Sequence, residues 1–326
     1  MLVSGNNLPA CSGSVIGSKI VSKKTGVSIT IIGYALGLIL EGGMLRRGVN
    51  AIFPYRFEPL LIVALFTAIV VFLIAHKMRV PQSLAVNFTG ILVGVSLAMH
   101  FSIGWGFVML MVLFWVAAPV ASMLLIAPLM NLSHSIVNGK KIWRSIKRIK
   151  LVLIFLSFFS AFALGANTIG LVYSSMPNNS FAMIAALLGI LIGSIFLNGG
   201  ELRRISSDIV SMRYLNSINS QFVSVILVEI ATFLGIPLSN TQTFVASVYG
   251  TGLSYKNRII LKKPAIAIAF TWIGGAVVSL LLSYAITSKN IDNLKLKDFL
   301  YYLYFPNVFE FFSNLLACGK KYEFIA

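Results

Sequence analysis

The stretch Ser4-Gly5-Asn6-Asn7-Leu8-Pro9-Ala10-Cys11-Ser12-Gly13 sets amides, small residues and a proline beside apolar sequence. A shorter stretch of the same character, Gly165-Ala166-Asn167-Thr168-Ile169-Gly170, follows a long hydrophobic run at mid-chain. Such residues do not readily continue a lipid-facing helix, and non-helical backbone is tolerated at membrane depth only inside protein or along a cavity. Broken segments at matching places in two halves of a chain indicate a transporter's substrate site.

The composition is that of a polytopic membrane protein. Hydrophobic residues make up 58% of the 326 residues and charged residues 11%, with a mean hydropathy of +0.90. Soluble domains carry about 25% charged residues. The net charge of +17 is typical of basic cytoplasmic loops between apolar spans. We find no aromatic-basic motif of a nucleic-acid-binding protein, so we expect the lipid bilayer, and no nucleic acid, as a partner.

Apolar runs of the length that a membrane pass requires recur along the chain. They are Val27–Leu45, Pro59–Ala75, Val80–Ala98, Ile103–Met130, Lys150–Ala166, Phe181–Leu197, Phe222–Leu234, Pro237–Leu253 and Pro264–Ile286. The polar interruptions of Val80–Ala98 predict a re-entrant hairpin or a broken span. The prolines at 119 and 128 predict a tilted or kinked helix over Ile103–Met130. We therefore predict an all-α, multi-pass protein of the cell membrane.

Three landmarks occur twice and in the same order, which indicates an internal repeat. Asn6 pairs with Asn167, Gly42-Gly43-Met44-Leu45-Arg46-Arg47 pairs with Gly199-Gly200-Glu201-Leu202-Arg203-Arg204, and Pro81-Gln82-Ser83 pairs with Pro237-Leu238-Ser239. The shifts are 161, 157 and 156 residues. With an odd number of passes in each unit, the second unit is upside down. The pattern predicts two inverted repeats of about five transmembrane segments, with broken or re-entrant helices.

The predicted organisation has four parts. Residues 1–137 form the first membrane repeat, 138–150 a basic cytoplasmic loop, 151–286 the second repeat and 287–326 an interfacial tail. Alternating the spans outward from the loop places 18 of the 26 basic residues inside, in agreement with the positive-inside rule. Only the second repeat has a helix before its asparagine motif. Either the true start lies upstream of Met1, which we expect, or this protein lacks one helix.

The asparagine motifs, together with Gly235-Ile236-Pro237-Leu238-Ser239-Asn240-Thr241-Gln242-Thr243, resemble the inorganic phosphate transporter (PiT) family of anion permeases. That family carries a Gly-Ala-Asn-Asp-x-Ala-Asn signature in each half and a Gly-x-Pro-x-Ser-Thr-Thr-His element downstream. The resemblance covers nearly the whole chain. It implies a secondary transporter, in that family a symporter, which moves an inorganic oxyanion, foremost phosphate, by alternating access.

The sequence departs from this family at the acidic positions. Asn-Asp of the signature corresponds to Asn6-Asn7 and to Asn167-Thr168, so both aspartates are replaced. Gln242 replaces the histidine of the downstream element, and Leu84-Ala85-Val86 stands at the matching place in the first half. Because the resemblance assigns the aspartates to the coupling sodium and to the phosphate site, their loss puts sodium coupling in doubt.

The candidate site therefore consists of neutral donors. A fully ionised oxyanion only accepts hydrogen bonds, and helix N-termini add backbone donors and a favourable dipole. The predicted substrate-binding residues are short amides and hydroxyls: Asn6, Asn7, Ser12, Ser83, Asn167, Thr168, Ser239, Thr241 and Gln242. A cavity without the two carboxylates favours a dianion such as sulfate, or phosphate without a compensating cation.

The glutamates of the apolar runs are interpreted separately. Glu229 lies inside Phe222–Leu234, where an ionisable residue is a candidate for proton coupling, although a structural hydrogen bond to a neighbouring helix explains it equally well. Glu41 and Glu201 adjoin the two glycine pairs, and we predict salt bridges with the adjacent arginines. The glycine pairs themselves are predicted to be close-packing sites.

The sequence offers no enzyme signature. There is no nucleophile elbow, no Gly-rich phosphate loop with lysine and no metal-ligand spacing among the two cysteines and three histidines. We expect no catalytic residue, no metal site and no cofactor apart from a coupling sodium or proton. A sulfate permease of the same superfamily and a non-transporting protein descended from a permease remain alternatives, and the possibility of a homo-oligomer stays open.

Overall fold

Every regular element among the described residues is a helix. The computed structural model describes residues 4, 7, 11–13, 15, 16, 20–54, 58–77, 82–136, 142–177, 179–196, 214–254 and 262–289. The helices are α1 (Lys23–Glu41), α2 (Arg46–Ile52), α3 (Glu58–Lys77), α4 (Leu84–Ala98), α5 (Trp105–Ile136), α6 (Ile142–Leu164), α7 (Gly170–Ser175), α8 (Ser180–Phe196), α9 (Tyr214–Phe233), α10 (Asn240–Ser254) and α11 (Lys262–Lys289), with a π-helical turn at Gly165–Ile169. Within the part of the chain that the structure describes, five helical stretches are long and apolar enough to cross a membrane. The prediction of an all-α polytopic protein is confirmed.

Helices α4 and α10 are shorter than a full membrane pass, and both lie largely inside the protein. Helices α4 and α10 have 15 residues each, which is about 22 Å at 1.5 Å per residue, against a hydrocarbon core of about 30 Å. In α4, 14 of the 15 residues are buried. The helix runs unbroken from Leu84 to Ala98, so no break is found in this part of Val80–Ala98, because its polar side chains are sheltered by protein. A re-entrant path for the segment stays a prediction.

The two sets of helices repeat at nearly one shift. Helices α1, α3, α4 and α5 start at residues 23, 58, 84 and 105, and helices α8, α9, α10 and α11 start at 180, 214, 240 and 262. The short helix of each set packs against the last helix of the other, since α4 contacts α11 and α10 contacts α5. The repeat thus extends from sequence landmarks to helix boundaries and packing. The inverted orientation stays a prediction.

Two sequence expectations need correction. Helix α6 begins at Ile142, so Arg144, Lys147, Arg148 and Lys150 belong to its first turns and not to a loop over 138–150. Lysine and arginine form helices well, and their long side chains reach water from a helix end. The stretch Gly165–Ile169 does not break the helix either, because it continues the chain as a fully buried π-helical turn.

Glycines bring α1 and α6 into backbone contact. A Cβ atom on Gly33 would lie 2.7 Å from the carbonyl oxygen of Phe158, and one on Gly37 would meet the carbonyl of Phe162. The contact partners advance toward the C-terminus on both helices together, so the two helices run parallel. Of the predicted close-packing pair, Gly42 contacts Gly170, whereas Gly43 is exposed, and a Cβ atom added there would meet no described atom within 4 Å. The second pair, at 199–200, and the chain beyond 289 lie outside the described residues.

Candidate functional site

A sharp turn joins α9 to α10, and the chain gives it a glycine where one is required. Gly235 has φ +71°, in the left-handed region that a side chain disfavours. The next residues, Ile236-Pro237-Leu238-Ser239, lead directly into α10 and are buried. The turn is therefore a buried, non-helical segment at the start of a half-length helix.

Asn167 holds this turn through its side-chain amide. Its Nδ2 donates to the carbonyl of Ile236 at 3.1 Å and to Thr232 Oγ1 at 2.9 Å, and its Oδ1 accepts the backbone N–H of Leu238 at 2.9 Å. Asn167 is fully buried. Both of its N–H bonds and its oxygen have protein partners, so it acts as a clamp on the turn, and a contact of Asn167 with a substrate stays a prediction.

Trp115 completes the anchoring of the turn. Its Nε1 donates to the carbonyl of Pro237 at 2.8 Å. Three consecutive residues, 236 to 238, are thus held by side chains from the π-helical turn and from α5. The position of the α10 N-terminus is fixed by contacts that are distant in sequence.

The serines of the two Pro-x-Ser motifs cap the two short helices. Ser83 Oγ accepts the N–H of Val86 at 3.4 Å, and Ser239 Oγ accepts the N–H of Gln242 at 3.3 Å. Each serine precedes the first residue of its helix and is buried. The cap uses the oxygen as an acceptor and leaves the hydroxyl hydrogen to donate elsewhere.

Polar side chains of α9 fasten the beginning of α10. Ser224 Oγ donates to Asn240 Oδ1 at 2.6 Å and lies 2.6 Å from Thr243 Oγ1. On the opposite side, the Ser122 hydroxyl of α5 donates to the carbonyl of Thr243 at 2.6 Å. The first turn of α10 is therefore held between α9 and α5.

The N-terminal motif meets the same helix end. Thr241 Oγ1 donates to Asn7 Oδ1 at 3.5 Å across 234 positions of sequence, and both residues are buried. Thr168 is 3% exposed in the π-helical turn, next to the clamp Asn167. The structure therefore gathers Asn7, Asn167, Thr241 and the Ser239 cap around the start of α10. Asn6 lies outside the described residues.

Two buried amides near the starts of the short helices lack a partner for their oxygen. Gln242 Oε1 and Asn87 Oδ1 are buried and have no hydrogen-bond partner among the described residues. The other end of the Asn87 amide is satisfied, because its Nδ2 donates to Gln82 Oε1 at 2.9 Å. Buried polar groups in folded proteins are normally satisfied. Each of these two side chains can therefore form a further hydrogen bond, for example with a bound ion.

The segment that contains Ser12 is anchored on the other side of the protein interior. The Cys11 carbonyl accepts the Ser157 hydroxyl at 2.7 Å and the Gln221 side-chain N–H at 3.0 Å. Ser12 is fully buried beside it. These bonds tie the N-terminal segment to α6 and α9. That Ser12 contacts the substrate stays a prediction.

Glu229 faces another glutamate. Its carboxyl group is in hydrogen-bond contact with that of Glu41 at the end of α1. Glu229 Oε1 and Glu41 Oε2 have no further partner among the described residues. The guanidinium of Arg46 lies 5.3 Å from the centre of the Tyr173 ring, and the salt bridge between Glu41 and the adjacent arginines stays a prediction. Glu41 therefore pairs with a carboxyl group that is remote in sequence.

Sequence reasoning missed the polar face of α9. Ser217, Gln221, Ser224 and Thr232 are all buried, and most of them recur at the spacing of one helical face. This periodicity, which begins at Ser217 before the apolar run Phe222–Leu234 and continues into it, is the signal that would have identified them. Among the described residues no group of three or more His, Cys, Asp or Glu side chains could hold a metal ion.

Comparisons with known proteins agree on one group. The sequence model of the phosphate transporter family matches residues 3–283. A protein of Methanocaldococcus jannaschii, provisionally named a phosphate permease, is 22% identical over 84% of this chain and 89% of its own length. Sulfate permease CysP of Bacillus subtilis is 29% identical over only 33% of either chain. A solved sodium-dependent phosphate transporter has the same fold, with a TM-score of 0.69, 16% identity, and coverage of 87% of this chain and 95% of that one.

Proposed function

The chain belongs to the phosphate transporter family, and from that premise we propose how it binds and moves phosphate across the cell membrane. The proposed substrate site lies between the N-termini of α4 and α10. It consists of hydroxyls, amides and backbone N–H groups without a carboxylate. Alternating access exposes this site to each side of the membrane in turn.

One observation carries this proposal: both half-length helices start inside the protein behind a serine cap. The first turn of a helix has N–H groups without helical partners, and the helix dipole favours an anion there. Each cap satisfies one N–H, at Val86 and at Gln242. The remaining N–H groups and the two serine hydroxyl hydrogens match an ion that only accepts hydrogen bonds.

The buried amide of Gln242 fits the same role. Gln242 follows Ser239 in the first turn of α10, and its oxygen and nitrogen exchange places by rotation about one bond. With its nitrogen turned toward the ion, Gln242 would donate to a bound oxyanion and gain the partner that the protein does not supply. Asn87 does not fit in this way, because its nitrogen already donates to Gln82 Oε1.

We expect transport that does not require sodium. The two aspartates of the family signature are Asn7 and Thr168 in this chain. Hard cations in proteins are held mainly by oxygen ligands that include carboxylates, and the gathered polar groups around α10 are neutral. Uptake of labelled phosphate into proteoliposomes should therefore be equal in sodium and in choline medium. Strict sodium dependence would overturn this part of the proposal.

The Glu41–Glu229 pair offers a route for proton coupling. A carboxyl group at membrane depth can hold and release a proton. Release and uptake of that proton as the site changes sides would couple the proton gradient to phosphate movement. Phosphate uptake driven by an inward proton gradient, in the absence of sodium, is the expected result.

Sulfate is the second candidate substrate, favoured by the partial similarity to a sulfate permease. The two ions have the same shape, and a site of pure donors prefers the one without a proton. To distinguish the two substrates, we would measure how strongly sulfate, arsenate and molybdate each inhibit the uptake of labelled phosphate. Inhibition by arsenate at lower concentrations than by sulfate supports phosphate, and the reverse order supports sulfate.

A further inference from the structure

A cavity opens between α1 and α8 on the outer surface of the helix bundle. Its volume is about 570 Å³, and it is lined by Lys23, Lys24, Val27, Ser28, Ile31, Ile32, Leu191 and Ile195. The wall is apolar except at one end, where the two lysines and Ser28 lie. No acidic side chain belongs to the lining that the structure describes.

The lysines are placed at one level of the membrane with other basic residues. Helices α1 and α6 run parallel, with Gly33 against Phe158. Lys23 and Arg148 each lie ten residues before these contact points, so they lie at about the same depth in the membrane. The first turns of α6 also carry Lys147 and Lys150, both exposed. The charge bias of the loops predicts that this end of the helices faces the cytoplasm.

The apolar part of the cavity extends from that level toward the bilayer interior. Ile32 and Leu191 are 53% and 44% exposed, so the groove is open along its length. The lysine side chains at its mouth are exposed. A basic rim above an apolar slot matches a molecule with an anionic head and a hydrocarbon tail, and the cytoplasmic leaflet supplies such lipids.

We propose that this cavity binds one anionic phospholipid, with its phosphate at Lys23 and Lys24 and an acyl chain along Ile31, Ile32 and Leu191. Because α1 and α8 are corresponding helices of the two repeats, a lipid wedged between them joins the two sets of helices. This site is separate from the proposed transport site, and its existence does not depend on the transported ion.

The test measures lipid affinity of the purified full chain by native mass spectrometry, with phosphatidylglycerol and phosphatidylcholine of identical acyl chains. Lys23→Gln with Lys24→Gln removes the basic rim. Lys147→Gln with Lys150→Gln is the matched control, because it removes two exposed charges of α6 that do not line the cavity. Ser28→Phe keeps all charges and fills the slot.

We expect phosphatidylglycerol to bind more tightly than phosphatidylcholine. The Lys23/Lys24 variant should lose up to about 30-fold in affinity for it, since each lysine contributes about fivefold at an anionic surface. The control variant should change by less than about twofold, and Ser28→Phe should weaken both lipids. Thermal unfolding in detergent verifies that each variant is folded.

Three results would overturn the site. Equal affinity for the two lipids would show that the lysines do not select charge. An equal loss in the control variant would show that any basic residues at this depth attract the lipid, and not the two lysines of the cavity in particular. Displacement of phosphatidylglycerol by millimolar inorganic phosphate would assign the lysines to the free ion instead of the lipid.

Discussion

Asn167 fixes the backbone of Leu238: its Oδ1 accepts the Leu238 N–H at 2.9 Å across 71 positions of sequence. Its Nδ2 meanwhile holds the carbonyl of Ile236. A residue that sequence analysis predicts to bind substrate thus positions the turn from which α10 starts. The α10 N-terminus belongs to the proposed anion site, so we expect the clamp to act on transport by fixing the position of that helix end.

Asn167→Ala should abolish most phosphate uptake and lower stability by about 1–3 kcal/mol, because two buried backbone groups lose their partners. Asn167→Asp should be equally inactive, since a carboxylate cannot donate to the Ile236 carbonyl. Uptake and thermal unfolding measure both. The exposed Asn131, replaced by alanine, serves as the control and should behave as the wild type. Full uptake by Asn167→Ala would contradict the clamp.

Ser239 allows capping to be separated from substrate binding. Ser239→Ala removes both the cap and the hydroxyl donor and should cost about 0.5–2 kcal/mol in stability. Ser239→Asp restores a capping oxygen but puts a negative charge at the anion site, so it should recover stability without recovering uptake. Ser22→Asp, at the exposed cap of α1, should leave uptake unchanged. Active transport by Ser239→Asp would remove this serine from the site.

The glutamate pair predicts a pH effect with a defined sign. If Glu229 carries the coupling proton, uptake rises as the outer medium becomes more acidic, because the inward proton gradient drives it. Glu229→Gln and Glu41→Gln should each abolish this dependence while leaving exchange of labelled phosphate between equal pools. Glu58→Gln, at the exposed start of α3, should keep the wild-type profile. An unaltered pH profile in Glu229→Gln would refute proton coupling at the pair.

Restoring the acids of the family signature tests the loss of sodium coupling. Asn7→Asp combined with Thr168→Asp places carboxylates at two buried positions of the candidate site. We expect phosphate uptake by this variant to become stimulated by sodium, since a cation would then offset the added charge. The neutral, similarly shaped Thr168→Asn controls for packing. Sodium-independent uptake by a folded double variant would mean that these positions do not hold the ion.

The glycine contact between α1 and α6 predicts a stability effect. A Cβ on Gly33 would lie 2.7 Å from the Phe158 carbonyl oxygen and 2.8 Å from the Ala161 Cβ, so Gly33→Ala should destabilise by about 1–3 kcal/mol. Gly274→Ala, on an open face of α11, should be neutral or stabilise by about 0.5–1 kcal/mol. Thermal unfolding in detergent compares the two, and equal behaviour would contradict the close approach.

Several structural features around the candidate site could be predicted because their signals are local. Ser83 and Ser239 follow prolines at the start of apolar runs, and the structure confirms a helix start at both. Thr241 meets Asn7, as two members of one predicted site should. For Asn167, substrate binding stays a prediction: its amide bonds to the backbone of Ile236 and Leu238, and no local pattern in the sequence reveals those two partners.

The sequence by itself determined the membrane class, the repeated helices and the family, because apolar run length and motif spacing are properties of the linear chain. Only the tertiary structure decided how each buried polar group is used. Asn167 became a clamp and Glu41 the partner of Glu229, since a group shut away from water bonds to whatever the packed helices bring near it. Those neighbours come from distant parts of the chain, and spacing along the sequence does not encode them.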